Sequence, residues 1–340
     1  MTRNSDAANS MTVMSQAKGA CMTVFFFTTL IGNSIVAYIG IKHWSHTRQH
    51  ITHFLVFNLA IADLVVTLFA MPFEIVEEFL ELWLFGNAMC KIVEYIQAVA
   101  LGASVFIITS IAVDRYICIV TPLMKRLKVR HGKLIVSFCW SFPLLLSIPY
   151  IFMYDVEVEI HHEGSNATTL ICESHGLPYV WMTKIYWFLE MYFTFLLPLV
   201  VMIFCYSKLL RKIMSLKKVG EPSHHASTIH QISPNPVPIN NLRRIKNKSV
   251  KLTLAFMTVF VICWTPKFVL EVVRLAFGTR AASRRSTIYE IALFMSYVNE
   301  TMNPVIYAMF DPFFRDKLAR LLGKKDNMSG FTTDTLSMPN

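Results

Sequence analysis

Charge is what this chain has little of. Of its 340 residues only 16% are Asp, Glu, Lys or Arg, while 54% are hydrophobic and the mean hydropathy is +0.47. Soluble globular domains carry about a quarter charged residues, so an ordinary water-exposed surface is excluded. The chain also lacks a Gly-rich phosphate loop and any set of His, Cys, Asp and Glu at metal-ligand spacing; His161 and His162 stand beside acids and read as solvated. Those absences argue against nucleotide-dependent and metal-dependent enzymes, and no enzymatic activity is expected. No internal repeat is visible and the intramembrane charges are few and clustered. That counts against a seven-span transporter or channel, since transporters carry repeats with broken helices and conducting pores carry charges along one path. Residues 1–18 lack the basic stretch, apolar core and small-residue cleavage site of a signal peptide, so the first span is expected to act as an uncleaved signal.

What the chain does have is long apolar sequence. Stretches at 20–41, 52–73, 90–121, 133–152, 185–210, 250–273 and 286–310 each meet the roughly 20 residues needed to cross about 30 Å of hydrocarbon. The expectation is an all-α membrane protein, a seven-transmembrane helix bundle over residues 20–310. Lys and Arg set its orientation: 23 of the 32 fall in the first, third and fifth connections, in the tail or at Arg115. Basic connections stay cytoplasmic, so residues 1–19 are expected to be extracellular and the tail at 323–340 cytoplasmic, in the plasma membrane. The net charge of +10 then faces lipid or a protein partner, and needs no nucleic acid to explain it. Acids show the opposite bias, with Glu74, Glu77, Glu78, Glu94, Asp155, Glu157, Glu190, Glu271 and Glu290 on the outer side, which makes the outer mouth negative.

Seven cysteines are present, five of them at membrane depth. Cys90 and Cys172 are the pair placed to meet, in an oxidising outer compartment. Their bridge would remove roughly 4 to 5 kcal/mol of unfolded-chain entropy and hold the large second outer loop over the bundle. In that loop Tyr154–Ile160 alternates apolar and acidic residues and Thr168–Ile171 favours strand, so a short hairpin is expected. Asn166-Ala167-Thr168 is a glycosylation sequon accessible from the outer side. Asn247 and Asn299 also open sequons, but lie in cytoplasm or membrane and are expected to stay bare. The third inner loop, about 215–243, is rich in Pro, His, Ser and Asn and reads as a flexible linker.

Each span also carries a polar or aromatic marker. Gly32-Asn33 lies in the first, Asn58-Leu59-Ala60-Ile61-Ala62-Asp63 in the second, and Asp114-Arg115-Tyr116 ends the third. Trp140 lies in the fourth, Pro198 and Tyr206 in the fifth, Phe260-Val261-Ile262-Cys263-Trp264-Thr265-Pro266 in the sixth, and Asn303-Pro304-Val305-Ile306-Tyr307 in the seventh. Asp and Arg cost roughly 2.5 to 3.5 kcal/mol each at membrane depth, so such groups persist where they work. In this order, from about 20 to 322, the markers resemble those of the rhodopsin-like, class A G-protein-coupled receptors. Asp311 to Leu318 then looks like the family's amphipathic eighth helix, here 311–322, on the inner leaflet.

The resemblance implies roles for particular residues. Asp63 with Ser104, Asn299 and Asn303 matches the family's sodium and water cluster; a protonated Asp in a polar network is the other reading of the same carboxylate, and no further cofactor is implied. Glu300 departs from the pattern, because the family usually has a small residue there, and a second carboxylate alters ion preference. Trp264, Phe260 and Pro266 resemble the sixth-helix toggle and hinge, working with Asn303, Pro304 and Tyr307. Asp114, Arg115, Tyr116 and Tyr206 would couple to a heterotrimeric G protein. Lys246 replaces the acidic lock partner of some relatives, which implies raised basal activity. Ser329, Thr332, Thr333, Thr335 and Ser337 are candidate phosphosites for arrestin.

Ligand class is approached first by exclusion. Gln97 stands where amine receptors carry an aspartate, and Tyr297 where opsins carry the retinal lysine. Trp83-Leu84-Phe85-Gly86, Gln97, the hairpin loop and Tyr297 look like receptors of the neuropeptide Y, neuropeptide FF and other amidated-peptide groups. Glu74, Glu94 and Glu190 could hold a basic peptide end, with Lys267 and Glu271 lining the same mouth or pairing at i,i+4. The expected ligand is a short extracellular peptide, amidated or containing Arg; a lipid or small molecule is the alternative. Arg280, Arg284 and Arg285 leave room for an acidic ligand segment.

Overall fold

In the computed structural model, residues 2–121, 129–160, 168–218, 239–277 and 287–323 are described. The first span belongs to α1 (Thr2–Lys42), a helix that begins well before the apolar stretch expected at 20–41. A short α2 (Trp44–Gln49) follows in the first connection. The second span is α3 (Ile51–Phe69) and α4 (Met71–Leu80), broken at Ala70 because Pro72 enters the first turn of α4. Proline has no N–H to extend the preceding helix, yet it suits a helix start.

The third span, α5 (Gly86–Val120), is the hub: it packs against α3, the fourth, fifth and sixth spans, and the hairpin. The fourth span is α6 (Val129–Leu146) with α7 (Tyr150–Met153), and leads directly into β1 (Tyr154–Ile160) and β2 (Thr168–Ser174). These strands are antiparallel, with Val156 opposite Cys172, as the alternating sequence predicts.

The fifth span is α8 (Val180–Met191), a π-helical turn at Tyr192–Leu196 and α9 (Leu197–Lys218). The π turn has a local cause. Pro198 lacks an N–H and its ring would strike the carbonyl of Thr194, so the preceding turn widens. The sixth and seventh spans are α10 (Ile239–Phe277), with Pro266 inside it, and α11 (Thr287–Phe310), with Pro304 inside it. After them α12 (Pro312–Leu321) is capped by Asp311, whose carboxylate accepts from Phe313 N (2.9 Å) and Phe314 N (3.2 Å).

Among the described residues six stretches are long and apolar enough to cross a membrane. The seventh span, α11, is diluted by Asn299, Glu300 and Asn303 and is held by packing against α10 and α1. Its approach to α1 is close: a Cβ on Gly32 would lie 2.8 Å from Pro304 Cγ; α5 and α6 approach as closely, a Cβ on Gly102 lying 2.8 Å from Pro143 Cβ. Small residues are what allow membrane helices to approach so closely. The exterior of the bundle is apolar, with Leu134, Phe152, Val200, Ile262 and Met309 exposed, while Asp63, Asn33, Asn299 and Asn303 are buried. That inversion of the soluble pattern suits a hydrocarbon solvent.

Candidate functional site

The interior polar cluster is built by α3, α5 and α11. Asp63 is fully buried; its carboxylate accepts from Asn303 Nδ2 (2.8 Å) and Ser104 Oγ (3.3 Å). Asn299 and Glu300 are buried on the same helix as Asn303, and neither Asn303 Oδ1 nor Glu300 Oε2 has a hydrogen-bond partner. The site therefore offers oxygen donors only, the set that suits a hard cation.

One layer over, aromatic side chains link the π turn, α10, α11 and α12. Trp264 and Phe260 are buried; Phe195 from the π turn stacks on Phe268 at 4.6 Å and reaches Phe260 at 6.0 Å. Tyr307 is buried between Phe256 (5.1 Å) and Phe314 (5.6 Å). Pro266 lies a short step along α10 from Trp264, so the backbone bond that proline cannot make falls beside this layer.

At the end of α5, Asp114 is buried and held twice. Arg115 Nη2 donates to its Oδ2 at 2.6 Å and Thr52 Oγ1 to the same oxygen at 2.7 Å. Tyr206 donates to the Val250 carbonyl at 2.7 Å, tying α9 to α10, and Tyr116 packs on Phe204. The Arg115 guanidinium thus lies on Asp114, while the Tyr206 hydroxyl is engaged with Val250.

At the opposite, hairpin end, three spans meet at Glu74. Its carboxylate accepts from Gln97 Nε2 (2.8 Å) and, through a short hydrogen bond, from the Tyr297 hydroxyl. Gln97 also reaches Tyr297 at 3.4 Å. Glu94 and Lys267 lie within electrostatic reach of Glu74, and Lys267 sits 5.3 Å from the Trp264 ring. The hairpin is fastened over this end by the Cys90–Cys172 disulfide (Cα–Cα 5.6 Å), by Trp83 N–H to Leu170 O (2.8 Å) and by Cys172 N–H to Glu77 Oε1 (3.4 Å). Trp83 also donates from its indole to Gly86 O (2.9 Å), and Gly86 takes φ 72 to start α5. The Trp83-Leu84-Phe85-Gly86 run is thus a structural corner.

The family model described as 7 transmembrane receptor (rhodopsin family) matches residues 32–307. This chain belongs to that family. Neuropeptide FF receptor 2 of Rattus norvegicus is 26% identical to it over 303 residues, which cover 86% of this chain and 69% of the relative. The receptor is accordingly a multi-pass membrane protein of a signalling family and not an enzyme.

The receptor's geometry divides the acids that the sequence grouped together. Of Glu74, Glu77 and Glu78 only Glu74 joins Gln97; Glu77 meets the hairpin, and Glu78 lies 3.4 Å from Lys18 of α1. Glu190 sits elsewhere, accepting from the Tyr150 hydroxyl at 2.7 Å within a cluster that includes Tyr154, Tyr186 and Trp187. Its helix is shared with Trp187, but no hydrogen bond joins Glu190 to Gln97. Glu271 is buried in α10. Of the flexible linker expected at 215–243, the ends are helical, in α9 to Lys218 and in α10 from Ile239; residues 219–238, Asn166, Arg280, Arg284, Arg285 and the tail phosphosites lie outside the described residues, as does the side chain of Lys246. The sequence reading missed Phe195, Phe268, Tyr150 and Thr52: apolar and hydroxyl residues inside apolar runs give no local signal until neighbouring helices bring them together.

Proposed function

We propose that this receptor binds a short extracellular peptide, with an Arg side chain or an amidated C-terminus, and relays binding to a heterotrimeric G protein. What carries the reading is the Glu74 carboxylate. It is held on Gln97 and Tyr297 by neutral donors, with Glu94 beside it and Lys267 as the cation in reach. A guanidinium or terminal amide supplies the fork of N–H donors that such an oxygen-rich mouth can accept. The similarity to a neuropeptide FF receptor supports the peptide class.

In this reading the hairpin end and residues 1–19 face outward and the Asp114 end faces the cytoplasm. Peptide contacts at Glu74, Gln97 and Tyr297 bias the Trp264, Phe260 and Pro266 layer, and α10 swings about its proline. Arg115 leaves Asp114 for Tyr206, Tyr307 and a G-protein helix. Agonist must then prefer the open bundle by about 5.5 kcal/mol to move it from 1:99 to 99:1. We also assign the Asp63, Ser104 and Asn303 oxygens, with Asn299 adjoining, to a sodium ion; the orphaned Asn303 Oδ1 fits one more cation ligand. Arrestin recruitment through the tail hydroxyls belongs to the same proposal.

The test is a calcium and cyclic-AMP screen of receptor-expressing cells against amidated peptides, with Glu74→Gln and Gln97→Ala alongside. A response to Arg-containing peptides that both variants lose supports the reading. Activation by a lipid or small molecule, with silence toward every peptide, overturns the ligand class and leaves the receptor family standing.

A further inference from the structure

Where the last turn of α1 meets α12, a cleft of about 210 Å³ is lined by Ile39, Lys42, His43, Lys317, Arg320 and Leu321. The basic groups come from two separate helices and converge on this cleft. Arg320 has Asp316 at 3.4 Å, whereas among the described residues Lys42 and Lys317 have no acidic partner. Their ammonium groups instead lie 5.4 Å from the Tyr38 ring and 5.8 Å from the Phe313 ring. His43 registers the crowding: burial, then the charges of Lys317, Lys42 and Arg320, push its imidazole below its ordinary range. Among the described residues Lys42 and Lys317 thus bring two positive charges to one small space with no carboxylate paired to either.

The rim of the cleft is apolar. Tyr38, Ile41, Met309, Leu321 and Leu322 are exposed on the same two helix ends and on the end of α11, so the opening lies at the edge of hydrocarbon. We infer that this cleft binds the phosphorylated headgroup of a phosphoinositide, with the acyl chains running along the apolar rim of α1 and α12. A free phosphate would satisfy the cations but not use the rim. Two uncompensated charges match a headgroup bearing more than one phosphate better than a zwitterionic one. The inference rests on the orientation proposed above, which puts α12 at the inner leaflet where such lipids are found.

The experiment uses the full-length receptor in nanodiscs of phosphatidylcholine alone or with phosphatidylinositol bisphosphate. Lipid retention and thermal unfolding are read together. Retention and a raised Tm are expected with the phosphoinositide, and Lys42→Gln with Lys317→Gln and Arg320→Gln should lower its affinity on the order of 100-fold, about fivefold per charge. Single Lys317→Gln, expected to lose about fivefold, keeps the test readable if the triple variant fails to fold. The charge-preserving Lys42→Arg with Lys317→Arg should retain binding. Undiminished binding by the triple variant would overturn the site, and soluble inositol bisphosphate bound as tightly as the lipid would overturn the lipid source. Protease accessibility of the tail in sealed right-side-out vesicles tests the orientation separately: cleavage from outside removes the inner-leaflet role while the nanodisc result stands.

Discussion

The two ends of the bundle handle buried acid in opposite ways. At the hairpin end Glu74 is held by an amide and a phenol, Glu77 by a backbone N–H and Glu190 by a tyrosine hydroxyl. At the other end Asp114 is held by Arg115 and Asp311 faces His53 at 3.4 Å. Neutral donors fill a carboxylate's lone pairs without an ion pair, whereas Arg115 forms one with Asp114. The Asp114 end is thus closed by an ion pair within one helix, and the three carboxylates at the hairpin end accept neutral hydrogen bonds.

Breaking the closed end should have the largest effect. Arg115→Ala is expected to abolish second-messenger responses with surface expression retained, measured by cyclic-AMP and calcium assays beside surface labelling; intact signalling would end the proposed route. Next comes the strap across the other end. Cys172→Ser should cost about 2 to 5 kcal/mol, seen as a lower Tm and reduced surface expression, and an unchanged protein would mean that the strands hold themselves.

The contrast sharpens with paired glutamates. Glu74→Gln should weaken an Arg-containing agonist about 10- to 100-fold, the worth of a charged hydrogen bond, while Glu78→Gln, lying toward Lys18, should change potency little. Equal losses would dissolve the distinction drawn between them. Asp311→Ala removes a helix cap and should cost about 1 kcal/mol, read as a small fall in Tm.

The smallest effect is a pH dependence at the closed end. Burial, then His53, His50 and Lys317, push His46 from 6.5 down to about 4, against the pull of Asp311. His50 is lowered by burial, then by His53 and Arg115. Between about pH 6.5 and 4 the unfolded chain binds more protons than the folded one, so stability is full above that window and falls as pH drops through it. Asp311 titrates lower still: burial alone would raise its carboxyl, but His53 and the Phe313 and Phe314 N–H groups outweigh burial. Melting at pH 7.5 and pH 5 should differ for the wild type and less for His46→Gln; equal differences would remove the histidines as the cause.

Much of this was legible in the chain because the governing signals are local. Apolar length gave the spans, alternation at Tyr154–Ile160 gave β1, and Asp311-Pro312 gave the start of α12. Motif residues such as Asp63 with Asn303, and Asp114 with Arg115, also meet in space. The split of Glu74 from Glu78 and Glu190 was not legible, because helical spacing says which side of a helix a residue occupies and not which neighbour stands there. The stacking of His46 on Phe313 at 4.3 Å is likewise a meeting of separate helices.

By itself, then, the sequence determined that this is a seven-span bundle of the rhodopsin-like kind, because the cost of exposing backbone and charge to hydrocarbon leaves few ways to arrange such residues. Only the tertiary structure decided which acids accept from neutral donors and which meet an Arg or Lys. That depends on the partner each carboxylate finds across the bundle, and helices far apart in the chain supply those partners.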